Sequence, residues 1–274
     1  MLLLVDLDGV VYRGREPVPG VAGVLRRRAA AGDRIVYVTN NSRSHRDEYR
    51  ARLAKLDVPL SGDGDECIVT AARATAVLLA EERPRPRVVM VLGGAGLARE
   101  LRDVGLRVVA PTRRGLGAAP DVLVVGVDFR LSYARLSIAA EAVRRGARFV
   151  ATNRDPSYPA ADGLAAGAGS MVAAVATAAG REPDLVVGKP EPRLFEAAAE
   201  IAGMTPAEAV VIGDGLLTDV RAAHAVGARS ILMLTGVTTL DALERAPAAA
   251  RPSAIARDAA ELETALERLA AAGR

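Results

Sequence analysis

Short aliphatic runs, each about the length of a strand, recur along this chain and alternate with helix-length stretches almost from end to end. That alternation is the pattern of βαβ units, which assemble into a parallel sheet with helices on its faces. The first part predicts a strand at residues 2 to 6, a helix from Val21 to Ala31 ended by Gly32, and a strand from Arg34 to Thr39. Helices over Ser44 to Leu56 and Thr70 to Glu81 follow. Past a charged, proline-punctuated stretch, Glu81-Glu82-Arg83-Pro84-Arg85-Pro86-Arg87, the alternation restarts. It runs through strands near Val88 to Leu92, Val122 to Val127 and Ala147 to Ala151, and helices near Leu97 to Val104, Ser132 to Arg145 and Ser170 to Ala179. A second punctuation, Gly180-Arg181-Glu182-Pro183-Asp184, precedes strands at Leu185 to Val187, Ala209 to Ile212 and Ser230 to Leu234. Helices over Arg193 to Ala202, Thr218 to Val226 and Ala259 to Ala271 complete the pattern. Two linkers bracketing an α/β block predict an inserted domain over 82–181, with 1–81 and 182–274 forming the domain that receives it.

At 274 residues the chain can bury a sizeable core, and 50% hydrophobic with 25% charged residues is globular composition. No apolar stretch approaches the ~18 to 20 residues of a membrane span. Met1 leads straight into an acidic motif with no basic leader, so a soluble, cytoplasmic protein is expected. The single cysteine, Cys67, excludes an internal disulfide and a cysteine-based zinc site, and His45 and His224 are the only histidines. A metal here needs oxygen ligands, which points to magnesium or a similar hard cation. The 36 basic and 33 acidic residues leave a charge of only +3, the arginines are scattered among acids, and aromatics make up 3%. Neither a basic block nor a stacking platform for bases is present, which argues against nucleic acid as a partner. All but two of the 36 cations are arginine; the lysines are Lys55 and Lys189. A chain so biased toward arginine that still places a lysine in Val187-Gly188-Lys189-Pro190 suggests a need for an ammonium there.

Three strand ends carry polar residues where charge is costly to place. Leu2 to Val5 runs into Asp6-Leu7-Asp8-Gly9, whose acids, two apart, would share a strand face at the end where open α/β sheets bind ligands. A solvated acidic turn explains the same residues, whereas a calcium loop does not, because Val10, Val11 and Pro17 stand where its ligands and glycine belong. Arg34 to Thr39 ends in Asn40-Asn41-Ser42. Thr39 and Asn40 there suit phosphate oxygens, or simply cap the next helix. Val210-Val211-Ile212-Gly213 ends in Asp214-Gly215-Leu216-Leu217-Thr218-Asp219, where a buried Asp214 would call for a cation and an exposed one would be another turn.

Taken in order, Asp-x-Asp-Gly, Thr-Asn-Asn-Ser, Gly-Lys-Pro-Glu-Pro and Gly-Asp-Gly-x-x-Thr-Asp resemble the four motifs of the haloacid dehalogenase (HAD) superfamily of phosphohydrolases. The insert between the second and third motifs resembles subfamily IIA, the NagD and p-nitrophenyl phosphatase-like group, and Ala151-Thr152-Asn153-Arg154-Asp155-Pro156 and Gly167-Ala168-Gly169-Ser170 resemble segments of its cap. The resemblance covers essentially the whole chain. It implies a doubly wound, parallel-sheet, Rossmann-like α/β core with an inserted α/β cap of the C2 type, and a Mg²⁺-dependent phosphatase working through an aspartyl-phosphate. In that reading Asp6 is the nucleophile and Asp8 the general acid and base. Mg²⁺ is held by the Asp6 carboxylate, the Asp8 backbone carbonyl and Asp214. Thr39 and Asn40 bind the phosphoryl group, Lys189 neutralises its charge, and Asp219 stands behind as an orienting residue or a partner of Lys189. Substrates of the group are small phosphorylated metabolites, among them p-nitrophenyl phosphate, pyridoxal phosphate, glycerol 3-phosphate, phosphoglycolate, and sugar or nucleoside monophosphates. The resemblance also allows a homodimer through the cap.

Tyr158, in Arg154-Asp155-Pro156-Ser157-Tyr158-Pro159, matches a position lining the substrate pocket in relatives, with packing at the seam between core and cap as the alternative. Asn41 faces the same choice between touching the leaving group and shaping a turn. A phosphomutase would carry a smaller helical cap just after the first motif, and a non-catalytic sugar-phosphate sensor would lack one of the motif acids. Leu92-Gly93-Gly94-Ala95-Gly96-Leu97 lacks the third glycine and the distal acid of a dinucleotide site and reads as a simple βα turn. Asp63-Gly64-Asp65-Glu66 reads as a solvated loop, and His224 as a residue of an alanine-rich helix that packs or faces water; His45 follows the phosphate loop closely enough to touch a substrate, but reads rather as an exposed helical position.

Overall fold

The computed structural model describes residues 1–60, 67–160 and 163–272, so the Asp63 to Glu66 loop lies outside the described residues. Two compact units divide the chain. The first comprises Met1–Thr39, Asp47–Val69 and Lys189–Arg274; the second comprises Asn40–Arg46 and Thr70–Gly188.

The first unit holds a six-stranded sheet in the order Ala254–Ala256, Arg229–Met233, Ala209–Gly213, Leu2–Asp6, Arg34–Thr39, Ile68–Thr70. Leu2–Asp6 lies in the middle and pairs in parallel with both neighbours. Its sequence explains the place: a strand covered on both faces by helices has no polar side, and Leu2, Leu3, Leu4 and Val5 are all fully buried. The helices Val21–Ala30 and Ala259–Ala272 pack against each other and contribute Val21, Val24, Leu25, Leu262 and Leu266 to the same core as Leu3 and Val5.

A second sheet belongs to the second unit, in the order Leu185–Val186, Arg148–Ala151, Val122–Val125, Val88–Leu92, Arg107–Val109. Its strands are parallel throughout, and Met90, Leu92, Leu123, Val125 and Phe149 form its core with Val172 and Val175 from the helix Ala168–Ala179. Both units are therefore α/β with parallel sheets. No helix of the described residues is long and apolar enough to cross a membrane.

The second unit reaches beyond 82–181 at both ends for identifiable reasons. Helix Ala71–Glu81 packs on helix Ala95–Asp103, and Leu185–Val186 is hydrogen-bonded into the second sheet. Residues 40–46 also join it. The Gly96 amide donates to the Arg43 carbonyl, Thr152 Oγ1 meets Ser42 Oγ at 2.9 Å, and the Arg43 guanidinium lies over the Phe129 ring. His45 overturns its reading as an exposed helical residue: it is buried just ahead of helix Arg46–Lys55, with Nε2 2.9 Å from Asp103 Oδ2 and 3.4 Å from the buried Glu100. The Arg46 guanidinium pairs with the same Glu100, so the cluster sets a cation against its acids.

Candidate active site

Parallel register brings the motif residues of the first unit to one sheet edge. Asp6 pairs with Val38 and Val5 with Ile212, so Asp6, Thr39 and Asp214 all leave their strands at the carboxyl end, two from neighbours of the central strand and one from that strand itself. Asp6, Thr39, Lys189, Asp214 and Asp219 are all buried. Lys189 Nζ donates to Asp6 Oδ1 at 2.7 Å and to Asp219 Oδ1 at 2.6 Å. Carboxylate oxygens of Asp6, Asp214 and Asp219 lie within 4.8 Å of one another.

Local backbone chemistry fixes each acid. The chain after Gly213 winds through a single wide helical turn, Leu216–Val220, before the helix Arg221–Ala225. Such wide turns concentrate at functional sites. Here the turn carries Asp219 back toward Gly215, whose amide donates to Asp219 Oδ2 at 3.1 Å while Thr218 Oγ1 donates to the same oxygen at 3.0 Å. Asp214 Oδ2 accepts from the Val237 amide at 2.7 Å. Two glycines make room for it: a Cβ on Gly9 or Gly236 would collide with the Asp214 carboxylate. Gly9 also has φ of +79°, a left-handed conformation that glycine adopts at little cost. Gly236→Ala is accordingly expected to cost about 1–3 kcal/mol, the usual penalty for forcing an extra carbon into a packed site, read from the midpoint of urea unfolding. An unchanged midpoint would show that the Asp214 loop yields freely.

Asp8 takes a different place from Asp6. The strand ends at Asp6, and Asp8 sits in the turn beyond it, exposed, bridged to Tyr12 while Leu7 beside it is fully buried. The two acids thus leave the chain at different depths, one in the buried cluster and one at its solvent side.

Burial sets the protonation of this cluster. It pushes the Asp6 carboxyl well above the usual range; Lys189 pulls it down, and Asp219 and Asp214 push it further up. Burial, and then the Asp219 charge, raise Asp214 to about 6 against the Val237 amide and Lys189. Although Asp8 is exposed on its outer side, the protein that crowds its inner side takes water from the carboxyl and raises it as well, opposed by Arg52 and Lys189. On Lys189 burial works against the charge, but Asp219 and Asp6 outweigh it and hold the ammonium protonated well above its ordinary range. Three carboxylates thus share one ammonium in a buried space.

That imbalance, together with an all-oxygen donor set, fits a hard divalent cation. Asp219 has spent one oxygen on Lys189 and the other on Gly215 and Thr218, which leaves Asp6 and Asp214 as the acids suited to hold it.

Asn40, Asn41 and Tyr158 belong to the second unit. Asn40 Nδ2 donates to both carboxylate oxygens of Asp155, at 3.1 and 3.0 Å, and the Asn40 backbone carbonyl accepts from Asn153 Nδ2 at 2.7 Å. Asn41 Oδ1 accepts from the Arg43 amide at 2.8 Å, the turn-shaping bond of its alternative reading. Tyr158 lies half-buried in an antiparallel hairpin, Ser157–Ala160 with Gly163–Ala166, opposite Ala165. Sequence reasoning passed over Thr235, Val237 and Thr238. The first donates to the Gly9 carbonyl, the second holds Asp214, and Thr238 Oγ1 accepts from the Leu216 amide at 3.0 Å. The small polar run Leu234-Thr235-Gly236-Val237-Thr238 after a strand was the available signal.

Comparison with known proteins finds matches over most of the chain. Residues 3–107 match the family model of haloacid dehalogenase-like hydrolases, and residues 186–262 match a second, HAD-hydrolase-like model. Human chronophin is 42% identical over 247 residues, covering 87% of this chain and 82% of the relative. The structure of p-nitrophenyl phosphatase from Archaeoglobus fulgidus superposes with a TM-score of 0.87 at 32% identity, covering 96% of this chain and 98% of that one. Glycerol phosphate phosphatase from Mycobacterium tuberculosis, solved in complex with magnesium, gives a TM-score of 0.84 at 38% identity, covering 95% of this chain and 75% of the other.

Proposed function

Because the chain belongs to the haloacid dehalogenase-like hydrolases, we propose that it is a Mg²⁺-dependent phosphatase of small phosphate monoesters that forms an aspartyl-phosphate on Asp6. One observation carries the reading: Asp6 and Asp214 converge in a buried cluster whose single ammonium, Lys189, bonds Asp6 at 2.7 Å.

An Asp6 oxygen attacks phosphorus as the ester P–O bond breaks, which divides one hard hydrolysis into two easier transfers. Asp8, exposed at the solvent side of the cluster, gives its proton to the departing oxygen and then takes one from the water that cleaves the aspartyl-phosphate. Lys189 holds Asp6 in place and meets charge that develops on the phosphoryl oxygens, and Thr39 adds a hydroxyl at the same sheet edge. Held by Asp6, the Asp8 carbonyl and Asp214, Mg²⁺ would neutralise charge between the acids and the phosphate. Asp219 orients Lys189 through its 2.6 Å bond. The second unit is the cap in this reading, with Tyr158 and Asn41 as the residues that set substrate choice and Asn40 as a phosphate ligand beside Thr39.

Relatives named for p-nitrophenyl phosphate and glycerol phosphate set the first substrates to try. Purified protein is expected to release phosphate from p-nitrophenyl phosphate and from members of a panel of small alkyl, sugar and nucleoside monophosphates when Mg²⁺ is present, and to stop when it is chelated. A panel without Mg²⁺-dependent release would end the proposal.

A further inference from the structure

The turn that carries Asp8 is tied to a short hairpin, Tyr12–Arg13 with Glu16–Pro17. The backbone of Tyr12 is fastened on both sides of Asp8: its amide donates to the Leu7 carbonyl at 3.2 Å and its carbonyl accepts from the Gly9 amide at 2.7 Å. The Tyr12 side chain is fully buried, yet its hydroxyl has no hydrogen-bond partner among the described residues. Among the described residues, then, no hydrogen bond anchors the ring at its far end. One face is covered by Arg52, from helix Arg46–Lys55, whose guanidinium carbon lies 3.3 Å from the ring centroid, while the ring is otherwise packed in the core. The same guanidinium donates to the Gly14 carbonyl at the hairpin's turn. A planar cation stacked on an aromatic face is a specific contact that lysine does not reproduce.

We infer that Arg52 is a positioning residue for Asp8: stacked on Tyr12 and bonded to Gly14, it sets the loop from which that acid reaches the leaving group. The inference rests on the reading of Asp8 as the proton donor. In the first transfer the bond from Asp6 to phosphorus forms, the bond from phosphorus to the ester oxygen breaks, and the Asp8 proton moves to that oxygen. A nitrophenolate departs without the proton. An alkoxide does not. Displacing Asp8 therefore penalises alkyl esters and spares aryl ones, whereas general damage to the fold penalises both.

The test is kcat/KM, which reports the first irreversible step, for p-nitrophenyl phosphate and for the alkyl phosphate that the parent cleaves fastest. In Arg52→Met the alkyl-to-aryl ratio is expected to fall by about 10- to 100-fold, the scale of losing a well-placed general acid or misplacing it by about 1 Å. Tyr12→Leu removes the same contact from its other side and should shift the ratio in the same direction, so the test survives a poorly folding Arg52 variant. Tyr12→Phe keeps the ring face and should keep the parental ratio. Equal losses on both esters, or a parental ratio in Arg52→Met and Tyr12→Leu, would overturn the inference and leave the phosphatase reading standing. A parent that cleaves neither ester overturns that reading, and the inference with it.

Discussion

Asp6→Asn is expected to release no phosphate above the uncatalysed background while staying folded, and in the presence of chelator to unfold no more easily than the parent. The first part follows from the role of the oxygen: an amide is a poor nucleophile toward phosphorus, and no covalent intermediate can form on it. The second follows from charge. Burial, with Asp219 and Asp214 nearby, raises the Asp6 carboxyl in the folded protein. A carboxyl raised on folding binds its proton more tightly there than in the unfolded chain. Stability therefore falls as pH climbs from the unfolded value, ~3.9, through the folded one, and stays lower above it. Asparagine has no charge to bury, and its carbonyl can still accept from Lys189. The variant should thus match or exceed the parent's unfolding temperature at about pH 7.5, with the difference vanishing near pH 4. Retained turnover would remove Asp6 as nucleophile. A lower unfolding temperature at neutral pH would mean that the Lys189 bond outweighs the crowding of acids.

Much of this arrangement is legible in the sequence, because strand ends in a parallel sheet announce themselves. Leu2 to Val5 and Val210 to Ile212 are apolar runs too uniform for a half-exposed strand, and the glycines and acids that follow mark where each leaves the sheet. Adjacent strands in register then put those acids together without further information. The pieces that escaped notice are short or weakly patterned. Two-residue strands such as Tyr12–Arg13 and Glu16–Pro17 show no period, and Ala254-Ile255-Ala256 is too brief to rise above its surroundings. The hairpin through Tyr158 is built largely of alanine and glycine, which carry little strand preference. His45 was misread because its helical neighbourhood is polar, while its burial comes from Glu100 and Asp103, more than fifty residues away. The attachment of residues 40–46 to the second unit has the same origin. Gly96 leaves space for the backbone of Arg43, Ser44 and His45, a fit between distant segments that no local pattern encodes. The Arg52 stack on Tyr12 is likewise tertiary, joining a helix to a hairpin across forty residues.

Lys189→Met should be strongly destabilising at neutral pH without metal. Lys189 is 3% exposed and bonds Asp6 and Asp219 at 2.7 and 2.6 Å. Its ammonium is held above the ordinary range by those acids, against burial. A raised ammonium contributes stability that is fully present below its unfolded value, ~10.4, and lost only as pH rises through the folded value, so at neutral pH the whole contribution is in force. Methionine fills the space but leaves three buried carboxylates, whose oxygens lie within 4.8 Å of one another, with no cation. Breaking a buried pair by removing one partner costs about 3–5 kcal/mol, and that loss is expected in urea unfolding at about pH 7.5 with chelator. Two conditions should recover part of it. Lowering the pH to about 5 lets Asp214, raised to about 6, and Asp6, raised as well, take up protons and relieve the repulsion. Adding Mg²⁺ supplies an alternative cation to the same oxygens and stabilises whatever folded protein binds it. A deficit that ignores both pH and Mg²⁺ would assign Lys189 to packing rather than to charge. A deficit that responds to both, in a variant that no longer releases phosphate, would separate its two duties: it balances the buried acids in the resting protein and the phosphoryl charge during transfer.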